Sequence, residues 1–155
     1  MKKIYLSNLY VLICLLSFKS VAQMNPRAGV QQQTANIMAI HSMGKNITLN
    51  VDFVEMLTGK AAVAAAKKTG EADYDVTAKG DTTWYVLNDY VISNDNKKIR
   101  KFELAANAQI YLVKEGTSQV GKSTIAKLKR SFEARLFRLS IANNKVIKIV
   151  EIYLP

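Results

Sequence analysis

The strongest constraint on the fold lies in residues 135–154. Phe137, Leu139 and Ile141 alternate with Arg138 and Ser140, the period-2 pattern of a strand with one buried face. Asn143-Asn144 follows, a pair that tolerates positive φ and closes a two-residue turn. Residues 145–154 return as a second strand and complete a β-hairpin. A lone hairpin is at best marginal in water, so its apolar face demands more strands upstream.

Those strands are legible. Residues 47–53 put Ile47, Leu49, Val51 and Phe53 on one face and Thr48, Asn50 and Asp52 on the other. Val54 and Met56 carry the apolar series on even numbers, which requires a bulge or bend near Phe53. Residues 84–92 are aromatic and β-branched, and residues 93–96 have turn chemistry. Residues 99–104 and 108–113 read as two more strands, broken at Asn107. Residues 71–83 and 115–121 read as polar loops.

Two helices interrupt the strands. Thr58 is a candidate N-cap, residues 60–68 are Ala-rich, and Gly70 suits a left-handed C-terminal cap. The thin Ala face predicts a helix that lies on the body without building its core. Ser123 or Thr124 caps a second helix reaching about Glu133, with Ile125, Leu128 and Phe132 as its apolar stripe.

The fold expected is mainly β (α+β): a small OB-like antiparallel barrel or coiled sheet of about six strands with two short helices. The OB barrel places a helix between its third and fourth strands, as the order here does. An open α+β sheet is the alternative.

The front of the chain reads differently. Lys2 and Lys3 precede the largely apolar residues 4–18, and Ser20-Val21-Ala22 puts small residues where a signal peptidase reads. Residues 1–22 are therefore expected to be a signal peptide cleaved after Ala22, exporting the chain to the periplasm or beyond. Cys14, the single cysteine, would leave with it, and no disulfide would remain. Residues 23–45 hold Pro26, Gly29, Gln31-Gln32-Gln33 and Gly44 and read as a flexible arm. At most a short helical turn is expected over residues 36–43, with His41 on the surface. Residues 46–155 form the single β-rich domain.

Composition narrows the chemistry. One His excludes a His₃ metal site and one Cys a CxxC zinc site, and the expected departure of Cys14 with residues 1–22 leaves no Cys–His nucleophile. No catalytic set, metal or cofactor is expected. The segment Gly116-Thr117-Ser118-Gln119-Val120-Gly121-Lys122-Ser123 does match G-x-x-x-x-G-K-[ST], where backbone amides cradle phosphates and the Lys reaches the terminal ones. Its surroundings argue against that chemistry. Downstream lie a helix and an antiparallel hairpin, with no apolar strand ending in a metal-positioning Asp.

Charge is uneven. Residues 97–155 hold 13 Lys/Arg and 4 Asp/Glu, whereas residues 24–96 hold 6 and 8. The candidate anion-contact residues are Lys127, Lys129, Arg130, Arg135 and Arg138, with Lys122 beside them. Trp84, Tyr85 and Tyr90 are candidate stacking platforms. Asp89, Asn94 and Asn96 read as Asx-turn residues, with Arg100 pairing Asp89 or Asp95. Asp52 with Asp89, or Asp73 with Asp75, are candidate carboxylate pairs.

One stretch carries a resemblance. Asp52, Leu57-Thr58-Gly59 and Ala61-Ala62 are followed by Asn88-Asp89-Tyr90, Ile92, Asn94 and Asn96, then Arg100, Phe102, Leu104 and Ala108. This pattern, over about residues 50–113, resembles that of small secreted bacterial proteins of unknown function. There the Tyr is often doubled where Val91 stands here. The resemblance implies export and no particular activity.

The function expected is non-enzymatic binding of an anionic partner: a polymer such as a polysaccharide or nucleic acid, a membrane surface, or an acidic protein. The alternatives are a phosphate- or nucleotide-binding enzyme using residues 116–123, and an envelope structural protein tethered by residues 23–45.

Overall fold

The computed structural model describes residues 29–154; the signal-peptide expectation for residues 1–22 lies outside them. Five strands close a barrel. β1 (Gln31–Met43) pairs antiparallel with β2 (Asn46–Phe53) on one side and β9 (Leu136–Ala142) on the other. β2 pairs antiparallel with β7 (Ile99–Val113), and β9 with β10 (Lys145–Ile152). A parallel pairing of β7 with β10 completes the ring. The helix α2 (Ile125–Ser131) lies between the third and fourth barrel strands, which is the OB order. One extra strand, β8 (Val120–Lys122), hangs on the other edge of β7.

The core follows the expected alternation. Leu49, Val51, Phe137, Leu139, Val146 and Ile149 are all fully buried. Asn143 and Asn144 have φ of 49° and 59°, the left-handed pair that a tight hairpin needs. Thr124 caps α2 by accepting the Lys127 N–H, and Leu128 enters the core with Ile125 and Phe132 beside it. The outer sides of strands β2 and β7 present Thr48, Asn50, Lys101 and Glu103.

The arm expected over residues 23–45 is, from Gln31 to Met43, a central strand with partners on both sides. Its inward residues are Ala35, Ile37 and then Ile40. A bulge between Ile37 and Ala39 turns Met38 outward, to 54% exposure, and shifts the phase. That shift erases the period-2 signal. Ladder pairing with β9, rather than apolar burial, holds the glutamine end.

β7 is likewise one strand. Asn107 does not end it but lies in an irregularity: residues 99–103 pair with β2, and residues 103–111 pair with β10 across a register shift between Leu104 and Gln109. Residues 115–121 are only partly a loop, because Val120 and Gly121 belong to β8.

Residues 54–98 leave the barrel between β2 and β7. They form β3 (Glu55–Thr58), α1 (Gly59–Thr69), β4 (Asp73–Val76), β5 (Thr82–Tyr85) and β6 (Tyr90–Ser93). β3 pairs with β6, and β4 with β5. The bend expected near Phe53 is a full break at the buried Val54. Two expectations change here. Residues 71–83 supply the β4–β5 hairpin, where Tyr74 and Trp84 face each other with ring centroids 5.0 Å apart. Residues 84–92 are two strands, because the chain turns at residues 86–89 with Asp89 at φ 57°. The α1 ends are as expected, with Gly70 at φ 77°, although the Thr58 hydroxyl makes no cap bond. Its Ala face does build a core: Ala62 and Ala66 pack with Val86, Leu57 and Val91.

Candidate anion-binding cleft

The cleft arises where two barrel strands part. β7 and β10 pair as far as Tyr111 and Val150. Beyond that point β10 follows β9 and β7 follows β8. The Glu151 side chain fills the place of the missing ladder bond. One carboxylate oxygen accepts the Val113 N–H at 2.9 Å, and the other accepts from Arg135 Nη1 at 2.6 Å. Glu151 is only 6% exposed, so its charge requires this pairing.

A cavity of about 650 Å³ opens there, bounded by α2, the β7–β8 turn and the end of β10. Gly116, at φ 70°, lets the turn fold back at its edge. Four cations line the cavity: Lys114, Lys127, Arg130 and Arg135. Two carboxylates, Glu115 and Glu151, stand among them. The cation set is what α2 and the strand after it deliver to one place. Leu128 fixes the helix by its apolar side, so Lys127 and Arg130 are left on the wet side. Arg135 is oriented by Glu151 while its side chain stays 41% exposed. Such an arrangement presents charged hydrogen-bond donors to the cavity.

The six anion-contact candidates do not share one face. Lys127, Arg130 and Arg135 converge on the cleft. Lys129 reaches the other way and donates to Ser42 Oγ at the end of β1, at 2.5 Å. Arg138 stands exposed on β9, opposite Thr34 and Val150, and Lys122 stands on β8 opposite Tyr111. Sequence reasoning missed Lys114 and Glu151. The available signal was a carboxylate at an inward position of an otherwise apolar strand, where Val146 and Ile149 precede Glu151.

The G-x-x-x-x-G-K-S segment is a β-hairpin, not a strand–loop–helix cradle. Lys114 N–H donates to the Gln119 carbonyl across the turn, and Lys122 lies in a strand. The Ser123 hydroxyl is buried without a hydrogen-bond partner. Helix α2 starts later, behind the Thr124 cap. Only the first part of the motif, Gly116 and Thr117, borders the cleft.

The stacking candidates belong to the excursion, away from the barrel strands. Trp84 lies between Tyr74 and the Lys67 ammonium, which sits 4.2 Å from its ring centroid. Tyr85 faces Asp73 across the hairpin, and Asp73 and Asp75 raise its pKa above the usual tyrosine value. Tyr90 pairs opposite Thr58, half-buried on β6.

The turn residues also find different partners. Arg100 does not pair with Asp89 or Asp95. Its guanidinium lies over the Phe53 ring and donates to the Lys98 carbonyl at 2.8 Å. Asn94 instead donates to Asp52 at 2.8 Å, and the Lys98 N–H donates to the same carboxylate. Asp52 thus ties the returning chain to the barrel, and it forms no carboxylate pair with Asp89. Asp95 bonds Ser93 instead, and Asn96 lines a smaller cleft of about 240 Å³ with Glu55 and Arg100. Asp73 and Asp75 do share one face of β4, as alternate strand residues must.

No protein-family model, no curated protein and no solved structure matches this chain, so the reading of its function rests on the geometry of this cleft.

Proposed function

We propose that the protein is an exported, non-enzymatic binding module whose cleft beside α2 receives an anionic partner. The observation that carries this reading is the convergence of Lys127, Arg130 and Arg135 on one cavity, with Arg135 held in place by a buried carboxylate. Four cations against two carboxylates leave the cavity positive. Where β2 and β7 pair, their outer sides offer Thr48, Asn50, Lys101 and Glu103 and no aromatic ring, so a partner held by charge fits better there than one held by base stacking.

Export is part of the proposal. It rests on the basic, apolar and small-residue pattern of residues 1–22 and on the resemblance to small secreted bacterial proteins. N-terminal sequencing of the protein made in a bacterial host tests it; a first residue of Gln23 is expected.

The binding test uses the purified protein, heparin and a salt series. Affinity should fall steeply as salt rises, because cations released from the ligand oppose binding. Lys127→Glu with Arg130→Glu should lower affinity tenfold or more. Salt-insensitive binding, or full affinity in that double variant, removes the proposal.

A further inference from the structure

We infer that the cleft takes a monomeric amphiphile: one anionic head, phosphate or carboxylate, carrying a short apolar tail. This rests on the anionic reading above and narrows it.

The cavity lining is mixed. Lys127, Arg130 and Arg135 supply its charge. Half-buried Ile152 and Leu154 supply apolar surface, with Tyr153 at 48% exposure beside them. Its volume, about 650 Å³, falls within the range of small-molecule sites. The charge is also small. Four cations and two carboxylates leave an excess of two, enough for one head group. A polymer track needs cations strung along a surface, yet Lys129, Arg138 and Lys122 point away from this cavity. The head is therefore assigned to Arg135 and Arg130, where planar guanidinium groups suit paired oxygens. The tail is assigned to Ile152 and Leu154, the partly exposed apolar residues of the lining.

The test is calorimetric titration of the protein with inorganic phosphate and with octyl, decyl and dodecyl phosphate, each kept below its micelle threshold. Full burial is worth about fourfold per methylene. Affinity should therefore rise at least about threefold for each two carbons, then level off once the tail outgrows the cleft. Arg130→Glu should weaken every alkyl phosphate tenfold or more. Ile152→Asn, which adds no charge, should flatten the chain-length series, so that dodecyl phosphate binds little better than octyl phosphate. Tyr153→Asn, at the exposed edge, serves if Ile152→Asn fails to fold.

Equal affinity for inorganic and dodecyl phosphate overturns the amphiphile and leaves the anionic reading standing. So does heparin binding without alkyl phosphate binding. Binding to phosphatidylglycerol vesicles but to no monomeric alkyl phosphate also overturns it, because the ligand would then be a bilayer surface. Silence toward every anion overturns both readings.

Discussion

The barrel and the excursion of residues 54–98 are built from the same chain by different means. The barrel strands run from 7 to 15 residues, and fully buried Phe137, Leu49 and Leu139 fill their interior. The four excursion strands have four residues each and sit in two-stranded sheets. Their core is two alanines and a valine with a few half-buried neighbours. The hairpin β4–β5 is almost wholly exposed, and Tyr74, Val76 and Trp84 face solvent in part. Apolar burial thus stabilises the barrel several-fold more than the excursion. The excursion is the part expected to open locally while the barrel stays closed.

The largest effect should come from breaking the barrel. Phe137→Ala is expected to cost about 3–5 kcal/mol by denaturant titration, because the ring is wholly buried in a closed layer. It should unfold both regions together. Val86→Ala in the excursion should cost about 1–2 kcal/mol and strip hydrogen-exchange protection from α1 and β6 alone. A common unfolding of both regions in Val86→Ala would erase the distinction.

Glu151→Ala comes next. It leaves the Val113 N–H without an acceptor and Arg135 without its anchor. A loss of about 1–3 kcal/mol is expected, kept low because Arg135 is partly solvated. Heparin affinity should fall with it, since a free Arg135 is no longer aimed. Unchanged affinity would detach the cleft from the proposed site.

Asp52→Ala sharpens the link between the two regions. The Asn94 amide and the Lys98 N–H lose their shared acceptor, at about 1–2 kcal/mol. Exchange protection should drop at residues 94–98 while β9 and β10 stay protected. Protection lost across the whole barrel would mean that the excursion is part of its cooperative unit.

The smallest effect is electrostatic. Asp73 and Asp75 raise the Tyr85 pKa in the fold, so its stabilising contribution is present below the ordinary tyrosine pKa. It is lost as pH climbs through the raised value. Asp73→Asn should move the ultraviolet titration of Tyr85 back down. Glu103 shows the opposite sign: its hydrogen bond to Lys145 lowers its pKa, and that contribution disappears as pH falls through the lowered value.

Much of this fold was legible because most barrel strands keep their phase. Residues 47–53 and 135–142 alternate cleanly, and Asn143-Asn144 announces its turn. β1 was hidden for the opposite reason. Its bulge at Met38 puts inward residues at 35, 37 and 40, a spacing that no simple period detects. The β4–β5 hairpin was hidden by its polarity, since Asp73 and Asp75 alternate with Tyr74 and Val76 in a segment rich in loop residues. At the cleft, the α2 cations could be read from the helix pattern. Lys114 could not, because its position depends on a strand turning back at Gly116.

The strand order carries a consequence for timing. β10 sits between β9 and β7, so the ring cannot close until Lys145–Ile152 has left the ribosome. The first barrel strand must likewise wait for residues 136–141, more than a hundred positions later, to gain its second neighbour. A nascent chain of this design has no finished barrel to offer at any earlier length. The distance between its pairing partners makes that closure slow.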